Sequence, residues 1–220
     1  VLEAPPKLGR EKSSVDNLLR NREQEQKKQK LYCTRLIESP ESTTVEFKQT
    51  FERNVHTKNL DLNLVHSVLK NVCAFMNTRG GDLLIGVVDK TKEKVGIEFD
   101  FYTSEEEYRR KVSIAISNSM GVDIKPFYRV RIVEMESERN SLVKICWIHT
   151  EPSDEPVFLV NEKHNKLLAK ELETTIANLH QDFYVRQDDS AEPLQMQEAV
   201  AYILRNFPNS KYSSQLNNPQ

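Results

Sequence analysis

Residues 61–89 read DLNLVHSVLKNVCAFMNTRGGDLLIGVVD, and the parsing of this stretch decides the fold. Asp61 is an N-cap residue. Leu62, Val65, Leu69, Val72, Cys73 and Met76 then recur at steps of three and four, the period of a helix with one buried face. Asn77-Thr78-Arg79-Gly80-Gly81 is a helix stop. Asp82 to Val88, DLLIGVV, follows and reads as a buried strand, apolar from Leu83 on. Asp89 to Lys94 is a polar turn, and Val95-Gly96-Ile97 reads as a short return strand, making a hairpin.

Upstream, Thr43-Thr44-Val45-Glu46-Phe47 alternates like a strand. Downstream, Ser104 and Glu107 have the spacing of a capping box, and Tyr108, Val112, Ala115, Ile116 and Met120 form the inner face of a helix that stops at Gly121. Phe127–Met135 and Leu142–His149 are two further strands, and Val157–Val160 and Phe183–Arg186 shorter ones. Asn161–Gln181 is ambiguous, and Gln195–Asn206 reads as a last helix. Hairpins mixed with a few helices give an α+β fold, a mixed, largely antiparallel sheet with flanking helices. Residues 1–35 form a mildly basic, polar helix or linker, 36–207 the folded domain, and 208–220 a polar tail.

Composition narrows the function. The chain of 220 residues carries a formal charge of −2, so a nucleic-acid binder must use a local basic face. The longest apolar run, Leu83–Val88, is far short of the roughly 18 residues of a membrane span. No secretory signal opens the chain, which begins with Val1 as a piece of a longer protein would. The three scattered cysteines suit reduced thiols in an intracellular setting, cytoplasmic or nuclear, and exclude a CxxC zinc knuckle. The six glycines fall under half the usual share of about 7%, and Gly80, Gly81, Gly86 and Gly96 lie close together. GGDLLIG is neither GxxxxGK[ST] nor GxGxxG, and no Gly-Lys dipeptide occurs, which excludes a P-loop. These glycines are read as turn and packing elements.

The carboxylates are the more telling group. Glu41, Glu46 and Asp89 flank the first two strands, and acids gathered at one point repel unless a hard divalent cation, Mg2+ or Mn2+, neutralises them. Such a cation activates water and stabilises charge on phosphate oxygens. Lys48 lies two residues after Glu46, on the same strand face and at the E-x-K spacing of many nucleases. In a fully extended strand, however, Glu41 and Glu46 fall on opposite faces, about 16 Å apart. They converge only if the chain bends between Pro40 and Thr44, and surface acids at a strand start are the plain alternative. Lys90, Lys92 and Lys94 in the polar turn, with Arg79 at the helix stop, suit phosphate contacts or, equally, solvated charge. The histidines show no ligand spacing, Cys73 lies on an apolar helix face as an inert core thiol, and Trp147 reads as core.

Taken together, Glu41-Ser42-Thr43-Thr44-Val45-Glu46-Phe47-Lys48, Ala74-Phe75-Met76-Asn77-Thr78-Arg79-Gly80-Gly81, Leu83-Leu84-Ile85-Gly86-Val87-Val88-Asp89 and Val95-Gly96-Ile97 resemble the Schlafen AlbA-type domain. Pro156–Leu159 and Phe183-Tyr184-Val185-Arg186 with Ser190 resemble its later strands. The resemblance implies nucleic-acid binding and, as in some members, a metal-dependent endoribonuclease acting on tRNA or other structured or small RNA. It implies that Glu41, Glu46 and Asp89 are the catalytic, metal-holding acids. It also implies pairing with a second lobe, as a homodimer or with a related Schlafen-type subunit. A catalytically silent RNA- or DNA-binding module and a dimerisation scaffold are the other readings. Two features depart from the pattern: Leu194-Gln195-Met196 stands where the last helix usually has a Ser cap, and the zinc-binding cysteines of some animal members are absent.

Overall fold

The computed structural model describes residues 9–121, 123–160 and 181–217, so the ambiguous segment up to 180 lies outside the described residues. Val1–Ser39 and Pro40–Gln220 are two compact units. The first holds helix α1 (Gly9–Glu38). Its middle has no apolar residue from Arg20 to Lys30, and Leu18 and Leu19 are exposed.

The second unit is α+β. Strands β1 (Val45–Lys48), β2 (Gly81–Ile85), β3 (Tyr128–Glu136) and β4 (Leu142–Thr150) form one sheet in the order β1-β2-β4-β3. β1 and β2 run parallel and the other pairs antiparallel. A parallel pair needs a crossover, and helix α2 (Leu62–Met76) supplies it. The Asp61 side chain caps α2 by accepting the Asn63 N–H at 2.9 Å. At the other end Gly80, with φ +75°, donates its N–H to Phe75 O at 2.9 Å. Val68, Val72, Cys73 and Phe75 of α2 pack with Leu83, Ile85, Cys146 and Ile148 of the sheet and with Tyr108, Val112 and Ile116 of helix α3 (Glu105–Met120). Leu62, expected on the inner face, is exposed.

Three short strands, β5 (Leu159–Val160), β6 (Gln181–Gln187) and β7 (Ser190–Leu194), make a second, antiparallel sheet in that order. β6 alternates faces. Phe183 and Val185 pack with Ala199, Ile203 and Phe207 of helix α4 (Met196–Asn206) and its end, while Tyr184 joins the α2 core. In place of the missing Ser cap, the Glu198 carboxylate accepts the Gln195 N–H at 3.0 Å. Past Pro208 the chain enters helix α5 (Lys211–Asn217), where buried Ser213 Oγ donates to Phe207 O at 2.7 Å.

Asn77, the residue after α2, ties these layers together. Its Nδ2 donates to Val157 O at 2.8 Å and to Tyr184 O at 2.9 Å, and its Oδ1 accepts the Val157 N–H at 2.8 Å. Tyr202 of α4 donates to its carbonyl at 2.9 Å. One buried amide thus joins the end of α2 to the segment that leads into β5 and to β6, which is the physical content of the Ala-Phe-Met-Asn motif.

Strand limits differ from expectation: Val157–Val160 pairs only at Leu159–Val160, Phe183–Arg186 extends to Gln181–Gln187, Ser190–Leu194 adds a strand, and two differences bear on the acids. β1 begins at Val45 because Ser42 and Val45 bridge across a turn holding Thr43 and Thr44. β2 ends at Ile85 because Gly86 has φ +98°, and a Cβ there would lie 2.9 Å from the Gly96 carbonyl carbon. The return strand shrinks to a single bridge, Val87 to Lys94. Among the described residues no helix is long and apolar enough to cross a membrane.

Candidate functional site

The turn before β1 solves the spacing problem. Ser42 and Val45 exchange backbone hydrogen bonds at 3.2 and 3.4 Å, and the Ser42 hydroxyl accepts the Thr44 N–H at 3.3 Å. The chain therefore doubles back, and Glu41 Oε1 accepts the Phe47 N–H at 3.0 Å. Glu41 lies beside β1, not one strand length away from Glu46.

Glu46 is on the same rung as Leu83 and Ile148, so its carboxylate points to the core face of an edge strand. A buried carboxylate requires partners. Glu46 has two: Lys48 bonds Oε1, and Arg186 Nη1 donates to Oε2 at 2.7 Å. The Arg186 side chain is itself buried, bonds Asn71 Oδ1 of α2, donates from Nη2 to Ser42 O at 2.6 Å, and lies 4.8 Å from the centre of the Phe75 ring.

Asp89 sits in the turn after β2, where Val88 donates to Glu93 O at 2.9 Å and Lys92, with φ +59°, donates to Val88 O at 2.8 Å. Its carboxylate is half exposed, with Lys92 Nζ at 3.5 Å. Lys92 Nζ also stands 3.8 Å over the Phe47 ring, which fastens this turn to β1.

Glu41 feels both other acids. Partial burial raises the proton affinity of Glu41, and so do the Glu46 charge and a hydrogen-bonding approach by Asp89, against the lowering effect of the Phe47 N–H. Among the described residues no group of three His, Cys, Asp or Glu side chains is arranged to hold a metal ion. At this site both Glu46 oxygens face protein cations. Glu41 and Asp89 present carboxylate oxygens whose mutual repulsion a divalent ion would relieve.

The other expected contacts divide. Lys48 and Lys92 belong to the acidic centre. Lys94 is taken by Glu138 through its ammonium and its N–H. Lys90 is exposed at the tip of the Asp89 turn, with no ion pair to a described residue. Arg79 is exposed at the opposite end of β2 from Asp89. Arg186 and Asn71 were not reached from the acids. The signal was present, since alternation puts Arg186 on the Tyr184 face of β6, and a buried arginine needs a carboxylate.

A family model described as Schlafen, AlbA_2 matches residues 41–195, the span from the first acid through β7. The chain belongs to the Schlafen AlbA_2 family. That family is often nucleic-acid-related. All four Schlafen motifs lie inside the matched span, and the buried Glu46–Arg186 pair joins the first of them to the later strand Phe183–Arg186. Among solved structures, the DIP2311 protein of Corynebacterium diphtheriae is similar over 74% of this Schlafen chain at 17% identity, with a TM-score of 0.44. The match covers 27% of that protein, so this chain spans about a quarter of its length.

Proposed function

We propose that this Schlafen chain is a divalent-metal-dependent endoribonuclease that cleaves phosphodiester bonds in tRNA or other structured or small RNA. The supporting observation is the turn at Ser42–Val45, which brings Glu41 beside Glu46 and within reach of Asp89 although the three are separated in sequence. Glu41 and Asp89 would hold Mg2+ or Mn2+, which when bound polarises the scissile phosphate and activates water.

The chain's own residues supply the rest. The Phe47 N–H orients Glu41. Lys92, anchored on Phe47, keeps a positive charge beside Asp89 without closing off its half-exposed carboxylate. Lys90 at the turn tip can take a flanking phosphate as a point charge. A second lobe, from another copy or a related subunit, would complete an RNA-binding surface.

A second reading has its own observation. Glu46 is already neutralised by Arg186 and Lys48, so the acidic centre is largely compensated by protein cations, as suits a silent RNA- or DNA-binding module. Incubation with tRNA and Mn2+ separates the two. The nuclease reading expects cleavage that falls in Glu41→Gln and Asp89→Asn; the binding reading expects salt-dependent retention with no cleavage under any divalent ion.

A further inference from the structure

Arg186 comes from the second sheet, far along the chain from the acids, yet it reaches both elements that shape the acidic centre. Nη1 donates to Glu46 Oε2 at 2.7 Å, and Nη2 donates at 2.6 Å to Ser42 O, the carbonyl of the turn that returns Glu41 to β1. Asn71 Oδ1 and the Phe75 ring hold the guanidinium from the α2 side. Asn71 is fixed in turn by donating from Nδ2 to Ser67 O at 2.9 Å. A cation entering at Glu46 would have to displace Lys48 from Oε1 or, at Oε2, a buried guanidinium held by four groups on two stretches of chain, 42–46 and 71–75. Glu41 and Asp89 carry no such obstacle: one accepts a single backbone N–H, and the other has a lysine at 3.5 Å.

We propose that Arg186 is a positioning residue of the acidic centre. It fills the place beside Glu46 that a metal would need, sets the Ser42 turn that seats Glu41, and leaves Glu41 and Asp89 as the pair that takes the divalent ion. Glu46 is then an anchor carboxylate, not a metal ligand. The first part stands on the hydrogen bonds alone, and the division of labour rests on the metal-dependent reading above.

Two measurements on the whole chain test it. In urea unfolding, Arg186→Met leaves Glu46 buried without its cation, and the folding constant falls at least about 100-fold. Adding Glu46→Gln to that variant recovers at least about 10-fold, because the orphaned charge is gone. A double variant no more stable than Arg186→Met overturns the pairing. Arg186→Lys, which keeps the charge but lacks the fork, serves where the Met variant does not fold.

Mn2+ alone is the probe for the second measurement, by the shift it causes in thermal unfolding. The shift persists in Glu46→Gln and vanishes in Glu41→Gln and Asp89→Asn. In Arg186→Lys the Mn2+ midpoint rises about 10-fold, as for a lost supporting contact behind a ligand. An unchanged midpoint in Arg186→Lys overturns the positioning role. Loss of the shift in Glu46→Gln as complete as in Asp89→Asn overturns the division of labour. No shift in the wild-type chain overturns the metal reading itself, while the urea cycle still decides whether Arg186 and Glu46 act as a pair.

Discussion

Arg186 and Glu46, 140 residues apart in sequence, meet at 2.7 Å on the buried side of β1. This one bond joins the edge strand of the larger sheet to the central strand of the smaller one. It also makes tolerable a carboxylate that the strand register points into the core. The acidic centre and the second sheet are therefore one mechanical unit, and the predictions below follow from what holds each part of it.

Asn77→Ala should destabilise the second unit by about 3 kcal/mol, since it strands the buried Val157 N–H and the Val157 and Tyr184 carbonyls together. The urea midpoint checks this. Asn77→Asp should be no better, because a carboxylate can accept from Val157 but cannot donate to the two carbonyls.

Gly86→Ala should cost about 2 kcal/mol or more, as its Cβ meets the Gly96 backbone and its φ of +98° is unsuited to a side chain. The same change moves the turn that carries Asp89. Any Mn2+ stabilisation should therefore weaken along with the thermal midpoint, whereas Gly121→Ala, with no atom within 4 Å of its Cβ, should leave Mn2+ stabilisation intact.

A pH dependence follows from His149 on β4. Its Nδ1 meets Asp82 Oδ1 at 2.7 Å and its Nε2 meets Glu151 Oε1 at 3.1 Å, while Arg129 faces it across the β3–β4 pair. The Asp82 bond chiefly, against partial burial, raises its proton affinity above the usual 6.5. The folded state thus holds the proton more tightly than the unfolded chain. The stabilisation is complete below pH 6.5 and is lost as pH rises through the higher folded value. His149→Gln should flatten the fall of the thermal midpoint across that window. A fall of equal size in both proteins would assign it elsewhere.

Cys73 lies wholly inside the core, and burial pushes its thiol up to about 12. It should resist iodoacetamide at pH 8 in the native protein and react only on unfolding, a difference that peptide mass mapping reads directly.

The larger architecture was legible because it rests on local chemistry. The Asp61 cap, the period of α2 and the Gly80 stop were each readable from adjacent residues, and all three stand. The limits of β1 and β2 were not, since they depend on where the chain meets a distant partner: Gly86 stops β2 against Gly96, and the Ser42 bridge shortens β1. The site divides in the same way. The turn that returns Glu41 could be named only as a requirement between Pro40 and Thr44, and Ser42 and Thr44 fulfil it. Arg186 stayed hidden because its alternation gives only the face it lies on, while its partner Glu46 stands in a different sheet, 140 residues away.

The most direct test of the account is cleavage of end-labelled tRNA in Mn2+ by the wild-type chain and by Asp89→Asn, with binding measured on the same samples. Wild type should cut. The variant should bind within about twofold of wild type, because its half-exposed side chain supports no core contact, yet cut about 100-fold more slowly. Equal cleavage by both proteins, or tight binding by wild type with no cleavage in Mn2+ or Mg2+, would contradict the nuclease assignment.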